Sequence, residues 1–251
     1  MLISGARGKS KLWENEGIQV VVTAYNTSEY LERCFRGIEN SLKGRKWILV
    51  FSNDGSTDDT LERAVFLSRN FKSHIVNNPK AKNVSEAKNK TLELTHRFKE
   101  EYPAVMMMDS DDEMLPDRVK LLDYLVEANG LFAVGDYNLI TDVAVYKIVL
   151  GQLPDFMRFP PSATLFHQSL VKENEKFFDE DFLVYSDIVK WWTLRCIENI
   201  EILRVSGFFV LNYFIRKGSV SFAPTEENLR KVKDYVMRAV LYANYTRNGY
   251  D

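Results

Sequence analysis

Through roughly the first 110 residues, short apolar runs rich in β-branched residues alternate with amphipathic helical stretches, and few folds accommodate that pattern. Ile18-Gln19-Val20-Val21-Val22-Thr23-Ala24 is short and nearly continuous in its apolar character, which predicts a strand buried on both faces. Leu31, Cys34, Phe35, Ile38 and Leu42 then recur at helical spacing, with Thr27 or Ser28 placed to cap the helix. Trp47 to Ser52 predicts a second buried strand. Thr57 is the expected cap of the helix that follows, with Asp58 and Asp59 complementing its dipole and Leu61, Ala64 and Val65 on its apolar stripe. His74-Ile75-Val76 predicts a third strand, Ser85 the cap of a third helix, and Ala104 to Met108 a fourth strand. Such alternation implies βαβ units, hence a parallel sheet with helices on both faces. In sheets of this kind ligands bind beyond the carboxyl ends of the strands.

Those ends are polar in a suggestive way. The first strand runs into Tyr25-Asn26, the second into Asn53-Asp54-Gly55-Ser56-Thr57-Asp58, and the fourth into Asp109-Ser110-Asp111-Asp112. Any one of these alone reads best as a turn with a helix cap. Three on one sheet build one crevice. Three carboxylates within four positions at the tip of a buried strand are costly unless something pairs them. A divalent cation carrying a phosphate-bearing ligand answers that need, because hard cations take carboxylate oxygens and complete their shell with phosphate oxygens.

The second half is less regular. Val143 to Leu150, Ala163 to Phe166 and Phe208 to Ile215 predict strands. Tyr185 to Ile197 predicts a helix, and Pro224-Thr225 starts a last helix with Glu226 and Glu227 in its first turn. Trp191 and Trp192 lie on the first of these helices, where at least one is expected in the core; a tryptophan there would also suit stacking on a sugar. His167 follows an apolar strand and would line a second-half pocket or serve structure. The 33 lysines and arginines against 35 aspartates and glutamates give a formal net charge of −2, so no global basic field favours nucleic acid. Cys34 and Cys196 make no disulfide framework or C-x-x-C pair, and Cys34 is expected as a buried thiol. Gly5-Ala6-Arg7-Gly8-Lys9-Ser10 imitates a phosphate-binding loop, but Ile3 stands where that pattern needs glycine, and no strand precedes it. Without a signal-peptide core or a run of the ~20 apolar residues a spanning helix needs, the chain reads as soluble and cytoplasmic.

The residues Tyr25-Asn26, Asn53-Asp54-Gly55-Ser56-Thr57-Asp58, Ala87-Lys88-Asn89, Asp109-Ser110-Asp111-Asp112 and Leu115-Pro116-Asp117-Arg118 together resemble glycosyltransferase family 2. The resemblance runs from Ile18 to about Ser221 and implies an α/β GT-A (Rossmann-like) fold. That fold has a mostly parallel central sheet, a smaller acceptor-side sub-sheet and a C-terminal helix. As a single domain, residues 18–115 would bind the nucleotide-sugar, 116–223 the acceptor, and 224–251 would form the last helix.

The resemblance also implies roles. Asp54 would bond the nucleotide base, and Thr23, Ala24, Tyr25 and Asn26 would border base and ribose. Lys88, where the family usually has arginine, would reach the base or diphosphate as a point charge. Asp109 would contact the ribose or the metal site. Asp111 would ligate Mn²⁺ or Mg²⁺ as the second acid of an Asp-x-Asp motif. Ser110 belongs to the same motif, and Asp112 would contact the donor sugar or support the site. Tyr185-Ser186-Asp187 matches the family's Glu-Asp segment with Ser186 in place of the glutamate, which makes Asp187 the candidate general base, with Asp179, Glu180 and Asp181 as neighbours that a shifted alignment would promote. Arg216 and Lys217 would lie on a basic loop that closes over the diphosphate. The implied activity is metal-dependent, inverting sugar transfer from a nucleotide-sugar, a UDP-sugar first, to a hydroxyl in glycan, surface-polysaccharide or lipid-linked acceptors. Transfer to a protein or a modified nucleobase, and a non-catalytic sugar-nucleotide-binding module, stand as alternatives. A sugar-1-phosphate nucleotidyltransferase would need a glycine-rich, arginine-bearing signature after the first strand, and Thr23-Ala24-Tyr25-Asn26 does not supply it.

Overall fold

The computed structural model describes residues 11–150, 159–182 and 186–215, with residues 226, 230, 233, 234 and 237 beyond them. Those last five residues are helical, and the rest of the expected C-terminal helix lies outside the described residues. The amino-terminal Gly5–Ser10 stretch and Tyr185 also lie outside them.

The alternation read from the sequence is present. Strands β1 (Ile18–Ala24), β2 (Trp47–Asp54), β3 (Ser73–Asn78) and β4 (Ala104–Asp109) pair in parallel in the order β3-β2-β1-β4. Helices α1 (Leu31–Ser41), α2 (Thr60–Leu67) and α3 (Val84–Glu93) connect them. Every residue of Ala104–Met108 is buried, as expected of a central parallel strand between helical layers. Each such large apolar side chain contributes roughly 1.5–3 kcal/mol on burial. Strand tips can therefore be polar because the shafts behind them supply the stability.

The remaining strands continue the same sheet. These are β5 (Glu113–Met114), β6 (Phe132–Ile140), β7 (Val145–Ile148), β8 (Thr164–His167) and β9 (Ile202–Phe214). Strand β8 pairs antiparallel with β4 and with β6, and β6 runs parallel to β9. Two helices complete the described architecture, α4 (Lys120–Ala128) and α5 (Ser186–Trp192), and α5 widens into a π-helical turn at Thr193–Ile197. The full order is β3-β2-β1-β4-β8-β6-β9-β5, with β7 pairing on β6.

Several local expectations are corrected. Strand β6 was not predicted; its middle, Gly135-Asp136-Tyr137, lacks apolar periodicity because it sits at a register shift against β9. The buried Asp136 carboxylate satisfies that irregularity by accepting from Leu150 N (2.8 Å), Ser206 Oγ (3.0 Å) and Gly207 N (3.0 Å). Asn83, not Ser85, caps α3, accepting from Glu86 N at 2.9 Å. At α2 the side chain of Asp58, not Thr57, accepts from Thr60 N. Hydrogen bonds from Thr60 and Ser28 outweigh the opposing effect of burial and hold the Asp58 carboxyl below its ordinary value.

Candidate active site

The tips of β1 and β2 are sewn together by side chains. Asn26 takes a left-handed conformation (φ 50°), accepts from Thr57 N at 2.8 Å and donates its own N–H to Ser56 Oγ at 2.9 Å. Thr27 Oγ1 donates to Ser110 Oγ at 2.9 Å, which ties the tip of β1 to the acid turn after β4. Thr23 is half-buried and its hydroxyl meets Thr91 of α3 at 2.8 Å, while Ala24 is buried. Tyr25 is 43% exposed, and the Lys80 ammonium lies 2.8 Å from the centroid of its ring.

Asp54 is buried at the end of β2. It accepts from Ala81 N at 2.8 Å and lies 3.4 Å from the Lys80 ammonium. Gly55 beside it has φ 67°, and a Cβ there would come within 2.7 Å of Lys80 N, so only glycine fits both the turn and the neighbouring backbone.

The acid turn is held from three sides. Asp112 N donates to Asp109 O at 3.1 Å, closing the turn, and Asp109 N faces Ser162 Oγ at 2.9 Å. Helix α1 lies close above it, an approach permitted by Gly37, where a Cβ would stand 2.9 Å from the Met114 backbone. From that helix the Arg33 guanidinium donates to Asp111 O and stacks 3.7 Å over the centroid of the Phe214 ring. Phe214 N in turn donates to Asp112 Oδ1 at 3.0 Å.

The three acids have different surroundings. Asp109 and Asp111 are partly exposed, whereas Asp112 is fully buried and its Oδ2 lacks a hydrogen-bond partner. Asp112 is tied to the end of β9 through Phe214 N, which supports the turn. Burial first, then the charges of Asp109 and Asp111, push its carboxyl well above the ordinary range. Arg118, also fully buried, donates to Met107 O (2.8 Å) and Thr164 O (2.6 Å), bracing the end of β4 against β8. Burial pulls its guanidinium down to about 9 against the opposing pull of Asp112 and Asp109, so it remains a cation at neutral pH. Burial, followed by the charges of Asp112, Asp111 and Asp109, pushes the Cys34 thiol well up, as suits the inert buried cysteine expected.

Lys88 joins the two halves of the site. It projects from α3, its side chain is only 12% exposed, and its ammonium lies 2.8 Å from Asp109 Oδ1. Burial lowers its pKa, but the carboxylates of Asp109, Asp187 and Asp112 outweigh that and hold it above the ordinary lysine value. Asp187, at the start of α5, has its carboxyl raised, first by burial and further by Asp109, with Lys88 opposing. Asp109, Asp112 and Asp187 therefore act on Lys88, and Asp109 and Asp112 also on Arg118.

The approach to Asp187 is held by α3 and not by a strand. Asn89 accepts from Phe178 N and donates to Phe178 O, both at 2.8 Å. Asn83 donates to Glu180 O at 2.9 Å, and Ser85 Oγ meets Phe182 O (3.1 Å) and Ser186 Oγ (2.8 Å). Asp179, Glu180 and Asp181 thus lie on the segment that α3 pins before Asp187. Tyr137, just past the β6 irregularity, has its hydroxyl raised to about 12 by burial and then by Asp187.

Sequence reasoning missed Lys80, Arg33 and Tyr137. The rule that ligands gather at strand ends points to the tip of β3 as well, and would have brought Lys80 into view. Two other candidates resolve differently. Trp191 is fully buried, donates to Phe159 O at 3.2 Å and stacks on the Phe159 ring, so it belongs to the core; Trp192 packs partly buried against the same core. His167 pairs with Ala104 at the opposite end of β4, because β8 is antiparallel and its carboxyl end points away from the crevice. Arg216 and Lys217 lie outside the described residues.

The donor set suits a hard divalent cation. Asp109 and Asp111 offer carboxylate oxygens, and among the described residues no cluster of three or more histidines, cysteines or acids would enclose a metal by itself.

Comparison with known proteins agrees with this geometry. The family model for glycosyl transferase family 2 matches residues 19–179. A dolichol-phosphate mannosyltransferase of Pyrococcus furiosus is 29% identical over 119 residues, 47% of this chain and 32% of the relative. The match therefore spans about a third of that protein's length. Among solved structures, Staphylococcus aureus TarS 1–349 in complex with UDP superposes with a TM-score of 0.70 at 17% identity, covering 90% of this chain and 65% of that one. The Pyrobaculum calidifontis mannosyltransferase PcManGT, in complex with GDP-Man and Mn²⁺, superposes at 0.62 and 12% identity, covering 93% and 74%. These two likenesses establish the shared GT-A fold. Among the described residues no helix is long and apolar enough to cross a membrane.

Proposed function

The chain belongs to glycosyl transferase family 2, and we propose that it moves a sugar from a nucleoside diphosphate, a UDP-sugar first, onto an acceptor hydroxyl with inversion at the anomeric carbon. The observation that carries this reading is the junction at Lys88, where a strand-tip acid, Asp109, and a buried acid on the other side of the crevice, Asp187, face one ammonium. It brings a diphosphate-holding end and a proton-accepting end within reach of one substrate.

Asp54 and Tyr25 bind and orient the base, with Thr23, Ala24 and Asn26 shaping the wall beside it. Asp109 holds the ribose side. Asp111 and Asp109 would hold Mn²⁺ or Mg²⁺, which when bound neutralises the charge that grows on the departing diphosphate. Asp112, held by Phe214 N and faced by Arg118, contacts the donor sugar or keeps the turn in shape. Asp187 removes the proton from the acceptor hydroxyl as its oxygen attacks the face opposite the leaving group. Its raised pKa suits that task, since a carboxylate that is too acidic is a poor base. Arg216 and Lys217, which lie outside the described residues, are proposed as further cations for the diphosphate. Glycans, surface polysaccharide or lipid-linked sugars are the acceptor class proposed, ahead of nucleic acid, which the near-neutral charge does not favour, and the reaction is placed in the cytoplasm.

UDP release tests the reading. The wild-type chain with Mn²⁺ and a panel of UDP- and GDP-sugars should liberate nucleoside diphosphate, slowly with water and faster with an acceptor. Asp187→Asn should bind the same nucleotides and lose the acceptor-stimulated rate. A chain that binds nucleotide-sugars yet releases no diphosphate from any of them is a binding module, and the reading fails.

A further inference from the structure

Lys80 is not among the residues to which the sequence pattern gives a role, yet its ammonium is placed with unusual definition for a surface lysine. It lies 2.8 Å from the centroid of the Tyr25 ring and 3.4 Å from Asp54 Oδ2. The side chain is about half exposed, while its backbone is packed on the Gly55 turn and the next amide, Ala81 N, occupies Asp54 Oδ1. The segment after β3 therefore wraps the tip of β2. It leaves one carboxylate oxygen with a cation beside it, and that cation rests on the ring of the half-exposed Tyr25.

We propose that Lys80 and Asp54 form a two-point reader of the nucleobase edge, selecting bases that present an N–H beside a carbonyl; this rests on the nucleotide-sugar reading above. A carboxylate only accepts and an ammonium only donates. Side by side they match the N3–H and adjacent carbonyl of uracil, and the N1–H and O6 of guanine. Cytosine offers the reverse, an unprotonated N3 beside an amino group, and adenine likewise an unprotonated N1 beside an amino group. Each of these would set a lone pair against Asp54 and a donor against Lys80. Sites that pair with a polar edge reject ligands lacking it strongly, because their own groups are then left unsatisfied. In the free chain the Lys80 ammonium rests on Tyr25, and its four-carbon stem lets it exchange the ring for a base carbonyl when a base stacks there.

Calorimetric titration of UDP, GDP, CDP and ADP, each with Mn²⁺, into wild type, Lys80→Met and Lys80→Arg tests this. Wild type should bind UDP, GDP or both at least about tenfold more tightly than CDP and ADP, a step of about 1.4 kcal/mol. Lys80→Met should weaken the preferred nucleotide by about tenfold or more and the others by less than about threefold, so that the preference collapses. Lys80→Arg, which keeps a donor, should retain it. Loss confined to UDP assigns the reader to uracil, and loss confined to GDP assigns it to guanine. Equal weakening of all four makes Lys80 a plain charge near the diphosphate and overturns the proposal, as does no change at all. Both outcomes leave the glycosyltransferase reading intact. A wild-type chain that binds none of the four overturns both.

Discussion

The parallel half of the sheet and the half that carries Asp187 assemble their polar groups by different means. In the parallel half each group rides on the end of its own buried strand, so β1, β2 and β4 deliver Tyr25, Asp54 and Asp109 directly. In the other half β8 runs the opposite way, and although β6 and β9 run with β4 and bring Tyr137 and Phe214 to the site, Asp187 itself sits on a short helix whose approach is fixed by side chains of α3. The first arrangement is stiff because its foundation is core. The second depends on a few hydrogen bonds between segments about ninety residues apart, so it is the half in which positioning is easiest to disturb.

Substitutions at the two ends should separate these functions, and the largest effect is expected at Asp187. Asp187→Asn should lower acceptor transfer by about 10²–10⁴-fold, while UDP affinity by calorimetry stays within about threefold. Next, Asp111→Asn should weaken Mn²⁺-dependent nucleotide binding by about 10–100-fold, with nucleotide binding in chelator unchanged. The reverse pattern at either residue would dissolve the division between halves.

Asn89→Ala probes the hinge between them. It removes both bonds to Phe178 and should cost about 1–3 kcal/mol in denaturant unfolding. It should also lower kcat by about tenfold or more through misplacement of Asp187, with KM for the donor little changed. A stability loss with full kcat would show that α3 does not position the base.

The smallest effects concern pH. Asp187 acts ionised, and burial raises its pKa, so kcat/KM should fall on the acid side at a pH above the ordinary carboxylate range. Lys88 opposes that rise, so Lys88→Met should move the acid limb to higher pH. The same shift has a thermodynamic counterpart. A carboxyl raised in the folded state contributes stability that is fully present below its unfolded pKa of about 3.9 and lost as pH rises through the folded value. Asp187→Asn should therefore melt higher than wild type at pH 7, with the advantage shrinking toward pH 4. An advantage over wild type no larger at pH 7 than at pH 4 would mean that Lys88 fully compensates Asp187.

The two halves also differ in how far the sequence could disclose them. Strand-tip residues such as Asp54 and Asp109 were legible because a buried run and its polar end are neighbours in the chain. Lys80 and Arg33 gain their meaning from partners 26 and 78 positions away in the chain, at Asp54 and Asp111, and no local pattern records such a meeting. Strand β6 stayed hidden because Asp136 interrupts its apolar run, and only the contacts from Ser206, Gly207 and Leu150 make that aspartate acceptable inside a sheet. His167 lies away from the crevice for a directional reason: the strand-end rule holds for parallel strands, β8 runs the other way, and the ring serves structure against Trp13 and Leu12 O.

Helix α3 lies, in chain order, wholly within the first half, yet one of its faces is committed to the second. Its Asn83, Ser85 and Asn89 grip the 178–186 segment while Lys88 grips Asp109. Anyone building a chimera, to join the parallel half of this chain to another relative's second half, would find that the seam does not fall at the acid turn. The incoming half would need its own counterpart of α3 or a resculpted one, since a graft cut after β4 would leave Asp187's replacement resting on a helix shaped for a different loop.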